Sequence, residues 1–221
     1  MKRALWTGLM VLCMVFSVRV QQAGSNNSEE VNVVLSGIET KYRSTTYTAV
    51  FHQTSTLKAM EITDAASGKI FIKAPGAMRW EYETPDPQTV ITNGEKLWVY
   101  RPHDRQVMVG KAPVFFGEGK GAGFLSDIGQ VRNSFSISRI EPGKPNAWSL
   151  KLIPNEKRPD LSEVHLTIDD PSYEISEVTT YNSYGDKTRI VFSNSAFGGA
   201  LSPEIFDFKV PPGADIVQID E

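Results

Sequence analysis

The chain has a single cysteine in 221 residues, and it stands at position 13 inside an apolar run. Disulfide scaffolds and thiolate catalysis are therefore excluded for everything downstream of Cys13. Histidine is scarce as well: His52, His103 and His165 lie far apart, and none has a partner at metal-ligand spacing. The sequence lacks a Gly-x-Ser-x-Gly elbow and a Ser-x-x-Lys pair, so no serine nucleophile is marked. Basic residues are outnumbered. Lys and Arg total 23 against 26 Asp and Glu, a formal net charge of -3, which makes a poor partner for nucleic acid.

What is present begins with MKR and then ALWTGLMVLCMVFSV, uncharged until Arg19. A basic start, an apolar run of ~15 residues and small residues around Ala23 and Ser25 predict a signal peptide over residues 1–23. The rival reading is an uncleaved anchor, but the run is short of the ~20 residues a span needs. Met10, Val11 and Leu12 precede Cys13 where a lipidation signal requires small residues. Loss of the leader removes Lys2, Arg3 and Arg19, leaving residues 24–221 more acidic still. Roughly 200 residues suit one domain.

Asn27 followed by Glu30 is a capping-box pattern, and it predicts a helix over residues 28–43. Val31, Val34, Leu35, Ile38 and Tyr42 recur along one face of it. Gly37 weakens such a helix by ~1 kcal/mol relative to alanine. From Thr45 the texture changes to short alternating segments separated by turn residues, the pattern of a large antiparallel sheet, curled or closed.

Within that sheet, "APGAMRWEYETPDPQTV" places Met78, Trp80 and Tyr82 on one face of a strand and Arg79, Glu81 and Glu83 on the other. Asn93-Gly94 predicts a two-residue hairpin with Thr92 opposite Glu95 and Val90 opposite Leu97. Val90, Leu97 and Val99 then share one face, and Trp98 and Tyr100 the other. Residues 112–131 break the pattern. Glycines at 117, 119, 121 and 123 separate Phe115-Phe116 from Phe124-Leu125, which predicts a hinged apolar segment with a short helix from about Ala122. A P-loop is excluded because Gly121 follows Lys120 where Ser or Thr is required, and a dinucleotide fold because the context is all-β.

The alternation by itself leaves two readings of Met78, Trp80 and Tyr82: a plain core, or the wall of a cavity for an apolar ligand. The order of motifs bears on the choice. Ile70-Phe71-Ile72, Pro75, Trp80, Pro85, Asn93-Gly94, Leu97-Trp98-Val99-Tyr100 and Gln106 follow one another as they do in the LolA family of outer-membrane lipoprotein carriers. A helix leading to Phe51-His52-Gln53, and the ending "FDFKVPPGADIV", also resemble that family.

The resemblance implies an incomplete, unclosed antiparallel β-barrel, mainly β, covered by short α-helices. It implies an apolar cavity for acyl chains, with Met78, Trp80, Tyr82, Val90, Leu97 and Val99 as its wall. Leu35 and Ile38, with Phe115, Phe116, Phe124 and Leu125, form the expected lid. The implied role is that of a monomeric periplasmic chaperone without cofactor, metal or catalysis. Its implied partners are acylated lipoproteins, an inner-membrane ABC transporter that releases them and an outer-membrane receptor. One departure stands out. The family often carries Arg before the first Pro, where it latches the lid, and here that residue is Ala74, so the latch is either absent or supplied from elsewhere. Rival readings are a sensor of another acylated ligand on the same fold, the lipidated receptor of the pathway, a hydrolase with acids paired across strands, and a β-domain that binds nothing.

Overall fold

The computed structural model describes residues 22–43, 45–112, 125, 128–157 and 159–219. Residues 1–21 of the expected signal peptide and Phe115, Phe116 and Phe124 lie outside these residues. Helix α1 runs from Gln22 to Tyr42, so it starts upstream of the predicted cap and holds Asn27 and Glu30 in its interior. Gln22 and Ala23 are good helix formers, and no proline intervenes to stop propagation. Glu30 is engaged elsewhere, bonded to Arg139 rather than closing a capping box. The buried face is the predicted one: Val31, Val34, Leu35, Ile38 and Tyr42.

Twelve strands follow among the described residues. They are β1 (Thr46–Leu57), β2 (Ile62–Lys73), β3 (Ala77–Thr84), β4 (Gln88–Asn93), β5 (Lys96–Arg101) and β6 (Gln106–Lys111). A 3-10 turn at Ile128–Gln130 and the one-turn helix α2 (Val131–Ser134) come next. Then come β7 (Phe135–Ile140), β8 (Ala147–Pro154), β9 (Glu163–Asp169), β10 (Glu174–Tyr181), β11 (Lys187–Phe197) and β12 (Asp215–Gln218). They form one sheet in the order β12-β6-β5-β4-β3-β2-β1-β11-β10-β9-β8-β7. Its neighbours are antiparallel except β12, which runs parallel to β6. The order starts at β12 and ends at β7 with no pairing between them among the described residues, so the barrel is unclosed.

Period-two burial sorts the strands' side chains. Tyr47, Ala49 and Phe51 on β1, like Val164, Leu166 and Ile168 on β9, face inward against α1. Gly68 on β2 sits opposite Phe51 and Tyr82, where the register slips by one residue. A Cβ there would lie 1.8 Å from the carbonyl oxygen of Glu81. The missing side chain also lets the rings of Phe51 and Tyr82 meet across the strand, with centroids 4.9 Å apart.

The β4–β5 hairpin differs from its predicted register. Thr92 faces Leu97 and Val90 faces Val99, so the turn is centred on Gly94-Glu95 instead of Asn93-Gly94. The Asn93 side chain explains this, because its Oδ1 accepts from the amides of both Glu95 and Lys96. Thr92 Oγ1 accepts from Gly94, which holds φ at +95°. A shift of two residues preserves side-chain alternation. Val90, Leu97 and Val99 therefore still share the inner face, with Trp98 and Tyr100 outside.

That outer face is covered rather than solvated. Ile91, Trp98 and Val107 form a second buried cluster, packed by Tyr100, Val109, Phe208 and Ala214. The C-terminal segment crosses the sheet to make it. Arg79 anchors the crossing, donating to the Ile205 carbonyl at 3.1 Å and to Glu81 at 2.6 Å. No helix among the described residues is long and apolar enough to cross a membrane.

Candidate functional site

The concave face of the sheet and the underside of α1 enclose the candidate site. Met78, Trp80, Val90, Leu97 and Val99 are buried in one apolar cluster with Leu35, Ile38 and Leu125, and Tyr82 packs at its margin. The structure thus brings the wall residues together with three of the expected lid residues. Met78 and Leu97 are fully buried and Trp80 is 5% exposed. From α1, Val31, Val34, Leu35, Ile38 and Tyr42 are buried in this same cluster.

Wall residues on the other strands were missed by the sequence reading, which stopped at β3–β5. Phe51, Ile70, Leu150, Val178 and Phe192 complete the inner face, each signalled by alternation in its own strand. Aromatic rings run through this face. Trp80 lies 4.7 Å from Phe51 and 6.3 Å from Phe192, and Tyr47 lies 6.3 Å from Phe192 and 4.8 Å from Phe197. The Trp80–Phe51 and Tyr47–Phe192 pairs are edge-on, a contact worth ~0.5–1.5 kcal/mol beyond area burial.

Three phenols stand on this surface, and each has a hydrogen-bond partner. Tyr42 Oη accepts from the Ile175 amide at 3.0 Å, Tyr47 Oη meets Ser195 Oγ at 3.3 Å, and Tyr82 donates to Gln53 Oε1 at 3.2 Å. Burial drives the Tyr42 and Tyr47 hydroxyls well above their ordinary range and pushes Tyr82 up to about 12. All three are therefore neutral near pH 7. What they present is an apolar, uncharged surface suited to hydrocarbon, with hydroxyls at its edges.

A charged cluster on β8 and β9 lies on the opposite face. Glu163 bonds His165 and also Lys151, the latter at 2.5 Å. Burial opposes ionisation of Glu163, but the bonds from Lys151 and His165 outweigh it and hold the carboxyl below its ordinary value. His103 contacts Asp104 in the exposed β5–β6 turn. These contacts are removed from the inner wall.

Helix α1 is held from two sides. Its apolar face packs on the barrel, and its flank is gripped by α2. Arg132 bonds Glu39 through Nε and donates to Asn32 Oδ1 at 2.9 Å, to the Asn32 carbonyl at 3.3 Å and to Ser36 Oγ at 3.1 Å. Asn32, Ser36 and Glu39 lie along one stripe of the helix. Arg139 on β7 adds a bond to Glu30 and stacks 4.8 Å over Trp148. No arginine stands at Ala74, and Arg79 serves the C-terminal segment instead. The two arginines that grip α1 come from the β7 side of the barrel, while Tyr42 and Lys41 hold its C-terminal end against β10 and β11.

Comparison with known proteins agrees with this architecture. The family model for "Outer membrane lipoprotein carrier protein LolA" matches residues 43–209. An outer-membrane lipoprotein carrier protein of Pseudomonas paraeruginosa is 30% identical over 173 residues, spanning 78% of this chain and 81% of that one. Its counterpart from Azotobacter vinelandii is 26% identical over 95% of this chain and 97% of its own. Among solved structures, an uncharacterized conserved protein from Thermus thermophilus superposes with a TM-score of 0.56 at 12% identity. It covers 86% of this chain and 99% of its own, a likeness of fold. With most of its length matched by the family model, the chain belongs to the LolA family of outer-membrane lipoprotein carrier proteins.

Proposed function

We propose that the chain is a periplasmic carrier that shelters the acyl chains of lipoproteins beneath α1. It receives them from an inner-membrane ABC transporter and passes them to an outer-membrane receptor. Residues 1–23 direct its export, and residues 24–221 form the single carrier domain. The observation that carries the reading is the continuous, uncharged apolar surface shared by the barrel's inner face and α1. Val31, Leu35 and Ile38 occupy the position an acyl chain takes when the helix lifts. Each methylene kept from water is worth ~0.8 kcal/mol, so cargo replaces helix at little net cost. Such an exchange suits a carrier that loads and unloads without nucleotide.

The wall comprises Met78, Trp80, Tyr82, Val90, Leu97 and Val99, with Phe51 and Phe192 beside them. Leu35, Ile38 and Leu125 belong to the cover. The test is positional photo-crosslinking during transfer of a triacylated lipoprotein. A benzophenone side chain in place of Tyr82 should capture the lipid, and one in place of Trp98, on the opposite sheet face, should not. Equal capture at both positions, or at neither, would overturn the assignment. Native mass spectrometry of exported protein purified without detergent supplies an independent readout, with adducts of acylated mass expected.

A further inference from the structure

The β1–β2 hairpin is unusual in what it exposes. Its tip is a 3-10 turn at Lys58–Met60, closed by Glu61 in the left-handed region. Every residue from Lys58 to Ala65 is exposed. Met60 is 61% exposed and Ile62 44%, positions where a tight turn ordinarily carries small or polar residues. Tyr184, in the neighbouring β10–β11 turn, is 73% exposed. The two turns are fastened together: the Lys58 amide donates to Asp186 Oδ1 at 2.9 Å, and the Lys58 side chain lies along Gly185.

The tip also projects. Strand β3 ends with Thr84 opposite Ser67, while β2 continues out to Ile62. At ~3.4 Å per residue the hairpin overhangs β3 by roughly 17 Å. We propose that Met60, Ile62 and Tyr184 form a lipid-surface contact that dips into the interfacial region of a bilayer. Three side chains on a convex tip supply far less than the ~800 Å² per partner that a stable protein interface needs. Two aliphatic side chains beside one amphipathic phenol do match the boundary between headgroups and acyl chains. Lys58 and Lys187 at this end are offset by Glu61, Asp64 and Asp186. The contact is therefore apolar rather than electrostatic, and zwitterionic lipid suffices for it. It lies at the far end of β1 from α1 and does not depend on the carrier reading.

The test uses the full chain with Cys13→Ser and a single new cysteine, labelled with an environment-sensitive fluorophore. Ala59→Cys reports the tip, and Glu95→Cys reports the opposite end of the barrel. With phosphatidylcholine vesicles, the label at 59 should brighten several-fold and shift to the blue, unchanged by high salt, while the label at 95 should not respond. Adding Met60→Ser with Ile62→Ser should abolish the response at 59, and since both side chains point into solvent the fold survives. No response at 59 would overturn the proposal. So would a response that needs anionic lipid, or an equal response at 95, which would report binding through the apolar N-terminal run.

Discussion

The backbone of Gly37 on α1 lies so close to the ring of Tyr173 that a Cβ at position 37 would stand 2.4 Å from Cδ1 and Cγ. The glycine that weakens the helix by propensity is what lets it seat on the β9–β10 turn. Gly37→Ala should therefore lower stability by about 1–3 kcal/mol through overpacking, despite its gain in helix propensity. Combining it with Tyr173→Gly should remove the clash and recover most of that loss. Thermal melts of the single and double variants check this, and additive losses would sink the explanation.

Arg132 makes a second prediction. Its bonds to Asn32, Ser36 and Glu39 hold α1 at a partly exposed site, so their joint worth is about 1–2 kcal/mol after solvent screening. Arg132→Ala should accelerate amide exchange in α1 by about tenfold and leave strands β1–β5 unchanged. Arg132→Lys should fall between, because an ammonium keeps the attraction to Glu39 but cannot fork across two side chains and a carbonyl. If the exchange rates of the alanine variant match wild type, the helix is held by its apolar face alone.

Much of this was legible in the sequence, and the failures have identifiable causes. Strand faces were readable because period two is strict, so Val90, Leu97 and Val99 fell on the inner face even though the hairpin register was wrong. The register differs because the Asn93 side chain accepts two amides and moves the turn one residue on, to Gly94-Glu95. The helix start was misplaced because a capping pattern is local, and Glu30 is engaged by an arginine more than a hundred residues away. The fastening of α1 was not legible either. Arg132, Asn32 and Glu39 become neighbours only when the sheet closes far enough to bring α2 beside α1. The outer cluster around Trp98 went unseen for the same reason, since its cover comes from Phe208 and Ala214 at the other end of the chain.

Alkaline pH should expose the buried phenols. Burial raises Tyr42, Tyr47 and Tyr82, the last to about 12, above the value near 10 that each has in the unfolded chain. Below pH ~10 both states keep these protons and stability is unaffected by them. As pH rises from about 10 toward 12, the unfolded chain releases protons that the folded chain retains, so stability falls. The slope approaches ~1.4 kcal/mol per pH unit for each tyrosine involved. Urea midpoints across that range should show the decline, and Tyr82→Phe should make it shallower. A Tyr82→Phe profile parallel to wild type would mean that this phenol titrates normally.

Trp80 and Trp98 offer the sharpest separation of packing from function, because they are nearly equally buried on opposite faces of the sheet, at 5% and 7% exposure. Glutamate at either position would desolvate a charge and unfold the domain before testing anything. Leucine is the better probe. Trp80→Leu opens space beside Phe51 and Phe192, and Trp98→Leu opens it beside Phe208, so each should cost about 2–4 kcal/mol by cavity formation. Only the first alters the surface proposed to receive an acyl chain. Lipoprotein transfer, measured where both variants are folded, should fall severalfold for Trp80→Leu and stay near wild type for Trp98→Leu. Equal losses would tie transfer to stability alone, and a selective loss at Trp98 would move the acyl site to the outer face beneath the C-terminal segment.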